Sequence, residues 1–149
     1  MFPPKKILYP INLDSKNIII LNRAFAMSRK INCHIDILYV NDSQAGYRHS
    51  RKTEVDVKKA VVDNTKEGLL DGMDINYHVA QGELAAEVKK FVETNNTDLI
   101  ITGHKHHNKL FTSIFDTPEE SIIDVVMVPV MVIPRSVAEE ELDITELDL

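Results

Sequence analysis

The sequence predicts an α/β domain built on one doubly wound, five-stranded parallel sheet with helices on both faces. Five short segments rich in β-branched residues alternate along the 149 residues with segments whose apolar residues recur at helical spacing. Strict alternation of this kind is typical of parallel sheets, because parallel neighbours need a crossover that is usually a helix. The fourth and fifth strands are nearly unbroken apolar runs, as expected of strands buried on both faces.

Apolar periodicity and capping residues give the boundaries of the elements. The predicted strands are residues 6–13, 33–40, 74–79, 99–102 and 130–133. The predicted helices are residues 15–30, 54–70, 84–94 and a last helix that begins after Thr117. Thr117 and Glu120 form a capping box with Pro118 at the first helical position, which marks the start of the last helix. The third strand alternates apolar and polar residues, so we place it at an edge of the sheet.

Length and composition favour a single domain without an intramolecular disulfide. A chain of 149 residues is long enough to bury a core without disulfides, and its only cysteine, Cys33, is interpreted as a small core residue. No run approaches the roughly 18 apolar residues that a membrane span needs, and the amino terminus lacks the pattern of a signal peptide. We therefore expect a soluble, cytoplasmic protein with no membrane contact.

The formal net charge of -6 is distributed unevenly. Residues 137–149 contain six acidic residues and no basic one, so residues 1–136 hold the other 17 of the 23 acidic residues and all 17 basic ones. We predict a domain over residues 1–136 and an acidic tail over residues 137–149. A neutral domain with an acidic tail disfavours a nucleic-acid partner. The tail also carries four leucine or isoleucine residues, so it is either a frayed end or a segment that docks on a partner subunit.

The most specific pattern in the sequence lies in residues 98–134, where a strand ends at Gly103 and a polar, cationic loop leads to the last helix. This segment resembles the C-terminal half of universal stress proteins of the UspA type. In nucleotide-binding members of that family the strand is followed by a G-x2-G-x9-G-(S/T) loop that wraps the phosphates of ATP. The spacing is kept here, with Gly103 at the first glycine and Thr117 at the hydroxyl position, but His106 and Asp116 replace the second and third glycines.

The resemblance implies an adenine nucleotide alpha hydrolase-like sheet with strand order 3-2-1-4-5. Ligands of such sheets bind outside the carboxyl ends of the strands, where the strand order reverses, here between the first and fourth strands. Asn12 stands where the family usually has an aspartate that contacts adenosine. The candidate nucleotide pocket consists of Pro10, Asn12, Val40, Gly103, His104, His106, Asp116 and Thr117.

The substitutions in the loop weaken its expected hold on phosphate. Glycine loops bind phosphate because backbone N–H groups approach the anion closely and the next helix offers its positive end. His106 puts a side chain where that approach is needed, and the capping box competes for the helix end. Asp116, Glu119 and Glu120 add carboxylates that repel an anion. Cationic side chains in the loop would oppose these effects by contacting the phosphates in place of the backbone N–H groups. They are His104, Lys105, His106, His107 and Lys109.

The sequence therefore predicts a binding or regulatory module of the stress response with weak or no ATP binding. The alternative is an ATP or AMP sensor that uses the same pocket through its histidine- and lysine-rich loop, with slow hydrolysis left open. There is no G-x-S-x-G elbow and no Walker loop, so no catalytic residue is assigned. His104, His106 and His107 are compatible with zinc or nickel, but a solvated polar loop is the interpretation that we prefer, and no metal site is assigned.

Two further segments bear on partners. In many universal stress proteins the final strand pairs with its copy across a two-fold axis, so the resemblance implies a homodimer through the strand that runs from Val130 to Ile133. A protein partner of another kind also stays open. Residues 41–53 have no periodicity and concentrate cationic side chains, so they form either a solvated loop or a cationic flap over an anionic ligand.

Overall fold

A computed structural model describes residues 3–13, 15–41, 51–104 and 118–134. The strands are β1 (Lys6–Ile11), β2 (His34–Asn41), β3 (Asp74–Gln81), β4 (Leu99–His104) and β5 (Val130–Pro134). The helices are α1 (Ser15–Ile20), α2 (Asn22–Lys30), α3 (Glu54–Asp63), α4 (Leu84–Asn95) and α5 (Pro118–Val125). The strands form one parallel sheet in the order β3-β2-β1-β4-β5, which confirms the predicted fold and strand order. None of the described helices has the length and apolar character that a membrane crossing requires.

Two apolar clusters cover the two faces of the sheet. The first includes Tyr9, Phe25, Ile37, Val57 and Ile101. The second includes Leu8, Leu38, Val88, Ile100 and Ile122. Neighbouring residues of one strand thus belong to opposite clusters, as the period of two requires. Burial on both faces is confirmed for β4, whereas β5 lies at the edge of the sheet and leaves Met131 37% exposed.

The predicted helix over residues 15–30 is divided into α1 and α2 at Leu21. The backbone N–H of Leu21 donates to the carbonyl oxygen of Ile18 at 3.0 Å, which is a tighter turn than an α-helix. The buried side chain of Asn22 donates to the carbonyl oxygen of Ile19 at 2.9 Å. The side chain therefore competes with the helical backbone at this point, and the prediction of one continuous helix was wrong.

The predicted helix over residues 54–70 begins correctly but ends at Asp63. Thr53 caps its start, and the side chain of Asn64 donates to the carbonyl oxygen of Ala60 at 2.7 Å at its end. Turns follow as far as β3, and the guanidinium of Arg29 donates to the carbonyl oxygen of Leu69 there at 2.6 Å. The apolar pattern continued past the helix because Leu69 is buried within these turns.

Candidate functional site

The two central strands part at their carboxyl ends. In the part of the chain that the structure describes, β1 pairs with β4 only at Ile7↔Leu99 and Leu8↔Ile100, although the strands continue to Ile11 and His104. The ladder between β1 and β2, by contrast, extends over all of β1. This is where the strand order reverses, so we call the carboxyl ends of β1 and β4 the switch point. Doubly wound sheets bind their ligands at this position.

The structure places three predicted pocket residues at the switch point. Pro10 lies on β1, is buried and has no N–H to give to a ladder. Asn12 follows the end of β1 and is exposed, and Gly103 is buried near the end of β4. Val40 is buried near the carboxyl end of β2, the strand on the other side of β1.

The side chains of the remaining predicted pocket residues lie outside the described part of the structure. His104 is the last residue of β4, but its side chain lies outside the described part of the structure. His106, Asp116 and Thr117 lie in residues 105–117, which are also outside it. The arrangement of the phosphate loop therefore stays a prediction from the sequence.

Helix α1 contributes a residue that the sequence analysis missed. A Cβ atom added to Gly103 would lie 3.0 Å from Cδ1 of Ile20 and 3.3 Å from Oδ1 of Asn17, so α1 approaches the end of β4 closely. Asn17 is almost fully buried, which places a carboxamide against the backbone of the switch point. The signal was present in the sequence, because Asn17 is a polar residue beside the apolar run of Ile18 and its neighbours on a buried helix.

The predicted flap segment begins and ends near the carboxyl end of β2. The side chain of Asn41 donates to the carbonyl oxygen of Lys52 at 3.3 Å and accepts from the backbone N–H of Lys52 at 3.2 Å. The carbonyl oxygen of Asn41 accepts from the N–H of Gly82 at 3.0 Å, just after β3. The two ends of residues 42–50 are thus held together at the same end of the sheet as the switch point, while residues 42–50 lie outside the described structure.

Two cavities within the described residues lie elsewhere. One of about 280 Å³ is lined by Arg29 and Cys33, and one of about 660 Å³ lies between α3 and β3 beside Tyr77. Neither contains a predicted pocket residue. Arg29 is engaged with backbone carbonyls, and burial raises the pKa of the Cys33 thiol, whose sulfur lies 3.5 Å from the carbonyl oxygen of Ser28. Cys33 is 9% exposed and belongs to the first apolar cluster, which confirms its interpretation as a core residue.

No set of three histidine, cysteine, aspartate or glutamate side chains that could hold a metal ion occurs within residues 3–13, 15–41, 51–104 and 118–134. The side chains of His104, His106 and His107, which raised the question of zinc or nickel, lie outside the described side chains.

The strand order and the reversal between β1 and β4 define a doubly wound α/β domain of the kind that binds ligands at its switch point. The sequence profile of the universal stress protein family matches residues 3–134, and the chain belongs to this family. A sequence comparison with curated proteins finds no match.

Solved structures of the family have the same fold. A universal stress protein in complex with cAMP has a TM-score of 0.65 and 12% identity, with coverage of 89% of this chain and 98% of that one. The protein UspA from Lactobacillus plantarum has a TM-score of 0.65 and 15% identity, with coverage of 87% and 97%. A universal stress protein from Archaeoglobus fulgidus in complex with dAMP has a TM-score of 0.57 and 13% identity, with coverage of 87% and 97%. At these identities the likeness concerns the fold alone.

Proposed function

We propose that this protein is a binding or regulatory module of the stress response whose adenine-nucleotide pocket lies at the switch point and holds ATP weakly or not at all. The observation that carries the proposal is the parting of β1 and β4 beyond Leu8 and Ile100, with Asn12 and Gly103 at the two strand ends. The ligands of two structural relatives, cAMP and dAMP, support an adenine nucleotide as the class of ligand.

The adenosine part of a nucleotide has suitable partners at this position. The Asn12 carboxamide can both donate and accept, whereas the aspartate of the family pattern can only accept when it is ionised. Asn17 supplies a second carboxamide on the α1 side of Gly103. We therefore expect the adenosine part to contribute more to binding than the phosphates do.

The phosphate part has weakened partners. The side chain of His106, the capping box predicted at Thr117 and the carboxylates of Asp116, Glu119 and Glu120 all oppose the binding of an anion. Each effect is worth about 0.3 to 2 kcal/mol, so together they lower the affinity for ATP by about ten- to a thousandfold.

A nucleotide sensor is the second candidate function. The position of the Asn41 and Lys52 pair favours it, because residues 42–50 start from the end of the sheet where the nucleotide would bind. These residues include Arg48 and His49, and a cationic flap would compensate for the missing glycines through side-chain contacts with the phosphates. Slow hydrolysis belongs to this second candidate.

The test is isothermal titration of the EDTA-treated protein with ATP and magnesium, and separately with AMP. The proposed module gives weak or undetectable ATP binding in the wild type and measurable binding in the variant His106→Gly/Asp116→Gly. Micromolar ATP binding by the wild type supports the sensor instead. If neither protein binds ATP or AMP, the nucleotide pocket is wrong and the module acts through another partner.

A matched pair of charge changes tests the adenosine part. Asn12→Asp restores the carboxylate of the family pattern at the switch point, so we expect tighter AMP binding. Asn96→Asp makes the same change at the exposed end of α4, far from the switch point, and should leave AMP binding unchanged. An equal effect of the two variants would mean that net charge, and not a contact at Asn12, controls the affinity.

We also propose that the protein forms a homodimer through β5, from Val130 to Ile133. Exposed apolar side chains on this strand and just before it support the proposal, because Met131 is 37% exposed and Met127 is 97% exposed. Cover by a second copy would remove these side chains from water. The acidic tail of residues 137–149 is proposed to lie outside the domain of residues 1–136 and to add to the same contact.

Sedimentation velocity tests the dimer. Met131→Glu should shift the protein to the monomer, whereas Val55→Glu, which changes an exposed apolar residue of α3, should not. Deletion of residues 137–149 should weaken the dimer if the tail docks on the partner. A wild type that sediments as a monomer at every concentration argues against both contacts, as does a dimer that neither Met131→Glu nor the deletion weakens.

A further inference from the structure

A buried carboxylate on β2 binds histidines from two strands. Oδ1 of Asp36 lies 2.9 Å from Nε2 of His34 on the same strand and 2.7 Å from Nε2 of His78 on β3. The other ring nitrogen of His34, Nδ1, lies 2.9 Å from Oδ2 of Asp74 on β3. We call these four residues the Asp36 network. The side chain of Asp36 is 7% exposed, so this carboxylate has little water to replace a lost partner.

The Asp36 network joins β2 to β3 twice. Asp74 is the register partner of His34, and His78 is the register partner of Leu38, so the two connections lie on one face of the sheet and four residues apart along β3. Among the described strands, β3 lies at an edge of the sheet and pairs with β2 alone. Its attachment therefore depends on the backbone ladder with β2 and on side-chain contacts such as these.

The protonation state of His34 follows from its contacts. Each ring nitrogen of His34 faces a carboxylate oxygen, and an ionised carboxylate can only accept a hydrogen bond. Both nitrogens can donate at once only in the imidazolium form. A neutral His34 would leave one lone pair facing Asp36 or Asp74 and would lose that hydrogen bond. His78 differs, because its contact with Asp36 needs a proton on Nε2 alone and a neutral tautomer supplies it.

Few other charged groups face the cluster within the described structure. Lys6 of β1 is the register partner of His34, but its Nζ donates to the carbonyl oxygen of Asn95 at the end of α4 at 3.1 Å. The contact from α4 is the uncharged ring of Phe91, which meets the ring of His78 at 4.8 Å between centroids. The lysines of α4 next to Phe91, Lys89 and Lys90, are exposed.

We propose that the Asp36 network is a proton-dependent lock that fastens the edge strand β3 to the sheet. The lock is closed when His34 is an imidazolium that bridges Asp36 and Asp74, and it opens when His34 loses one proton to solvent. This inference does not rest on the nucleotide pocket, because His34 and Asp74 lie at the amino ends of their strands, opposite to the switch point.

The direction of the pH dependence follows from the pKa of His34. Partial burial lowers this pKa, but the hydrogen bonds to Asp74 and Asp36 and the charges of both carboxylates outweigh burial, so the pKa lies above its ordinary value of 6.5. A group whose pKa is raised by folding stabilises the fold fully below its unfolded pKa. The stabilisation by His34 is therefore present below pH 6.5 and is lost as the pH rises through the folded pKa. The attachment of β3 to β2 is therefore more stable at low pH than at high pH.

Amide hydrogen exchange of the full chain, followed by NMR between pH 5.5 and 8.5, tests the lock. After correction for the intrinsic exchange rate, protection of the β3 amides should fall as the pH rises, while that of the β4 amides should change much less. The protection factor of the β3 amides should fall about tenfold for each unit by which the measured pKa of His34 exceeds 6.5. One pKa unit corresponds to a factor of ten in the equilibrium between attached and detached β3.

Two variants distinguish the lock from a passive contact. His34→Gln keeps a donor for Asp36 but cannot titrate. The pH dependence of β3 protection should therefore become much smaller, although His78 remains in the Asp36 network. Asp74→Asn keeps the shape of a largely exposed partner and removes its charge, so the pKa of His34 should fall. The pH range over which protection of the β3 amides is lost should then move to lower pH. Equal pH dependence of β3 protection in the wild type and His34→Gln overturns the proposal, as does a His34 pKa at or below 6.5 in the wild type. If His34→Gln does not fold, an unchanged His34 titration in Asp74→Asn overturns it as well.

Discussion

The side chain of Asn22 accepts a hydrogen bond of 2.8 Å from the backbone N–H of Lys66, which lies 44 residues further along the chain. The same side chain donates to the carbonyl oxygens of Ile19 at 2.9 Å and Asn64 at 3.1 Å. Asn22 is fully buried, so one carboxamide joins the break between α1 and α2 to the turn after α3 without help from bulk water.

Replacement of Asn22 by alanine should lower the free energy of unfolding by about 2 to 4 kcal/mol, because it leaves buried backbone donors and acceptors without a partner. Urea titration measures the change. Asn76→Ala, at an exposed asparagine of β3, is the matched control and should cost less than about 0.5 kcal/mol. A cost of Asn22→Ala as small as that of the control would mean that water fills the site and restores the hydrogen bonds.

A methyl group at Gly103 should affect binding more than folding. The nearest atom to an added Cβ is Cδ1 of Ile20 at 3.0 Å. We expect Gly103→Ala to lower the free energy of unfolding by about 1 kcal/mol, because Ile20 and Asn17 beside it are buried and have little room to move. In the background of His106→Gly/Asp116→Gly the same change should weaken nucleotide binding at least tenfold, measured by isothermal titration. Unchanged affinity would place the nucleotide away from Gly103.

Two glycines with positive φ angles should respond differently to alanine. Gly82 has φ +139°, and an added Cβ would lie 2.9 Å from Oε1 of Glu87. Gly72 has φ +75° with no atom within 4 Å of the added Cβ. We expect Gly72→Ala to cost about 1 kcal/mol, from backbone strain alone, and Gly82→Ala about 2 to 3 kcal/mol, from strain and the contact. Thermal unfolding measures both, and equal losses would show that Glu87 moves aside freely.

The capping box of α3 should make this helix sensitive to acid. The carboxylate of Asp56 accepts hydrogen bonds from the backbone N–H of Thr53 at 2.9 Å and from its hydroxyl at 3.0 Å, and these bonds lower the pKa of Asp56. A lowered pKa stabilises the fold above the ordinary value of 3.8, and this contribution is lost as the pH falls through the folded pKa.

The difference in urea midpoint between the wild type and Asp56→Asn should therefore be larger at pH 6 than at pH 3. Thr53→Ala, which removes the side-chain half of the box, should cost about 1 kcal/mol at pH 6. A midpoint difference between the wild type and Asp56→Asn that is the same at both pH values would show that the charge of Asp56 has no part in capping.

Much of the fold could be predicted from the sequence because its signals are local. Apolar runs predicted the strands, and the spacing of Val88 and Val92 predicted α4. The structure confirms both. The break before Asn22 could not be predicted, because the partner at Lys66 comes from a distant turn. The Asp36 network was missed for a similar reason: His78 meets Asp36 only through the register of two strands that are far apart in sequence.

The candidate site could be predicted only as a location. The topology placed Pro10, Asn12 and Gly103 at the ends of strands, and the structure has them there. Asn17 was missed, because polarity within a helix does not reveal which strand that helix approaches. The occupant of the site depends on the chemistry of residues 105–117, for which the sequence provides residue types but no positions.

The short pairing between β1 and β4 has a consequence for how the chain folds. Ile7 and Leu8 of β1 make the pairs with β4. Just before these pairs, the carboxylate of Asp98 accepts hydrogen bonds of 3.0 Å from the backbone N–H groups of Lys5 and Lys6, which are 93 and 92 residues away in sequence. Contacts over such separations form late, because a long stretch of chain must lose its freedom before they contribute. We therefore expect β1, β2 and β3, the first three strands in the sequence, to assemble first. The formation of the contacts of Asp98 with Lys5 and Lys6 would then be the slow step that completes the sheet.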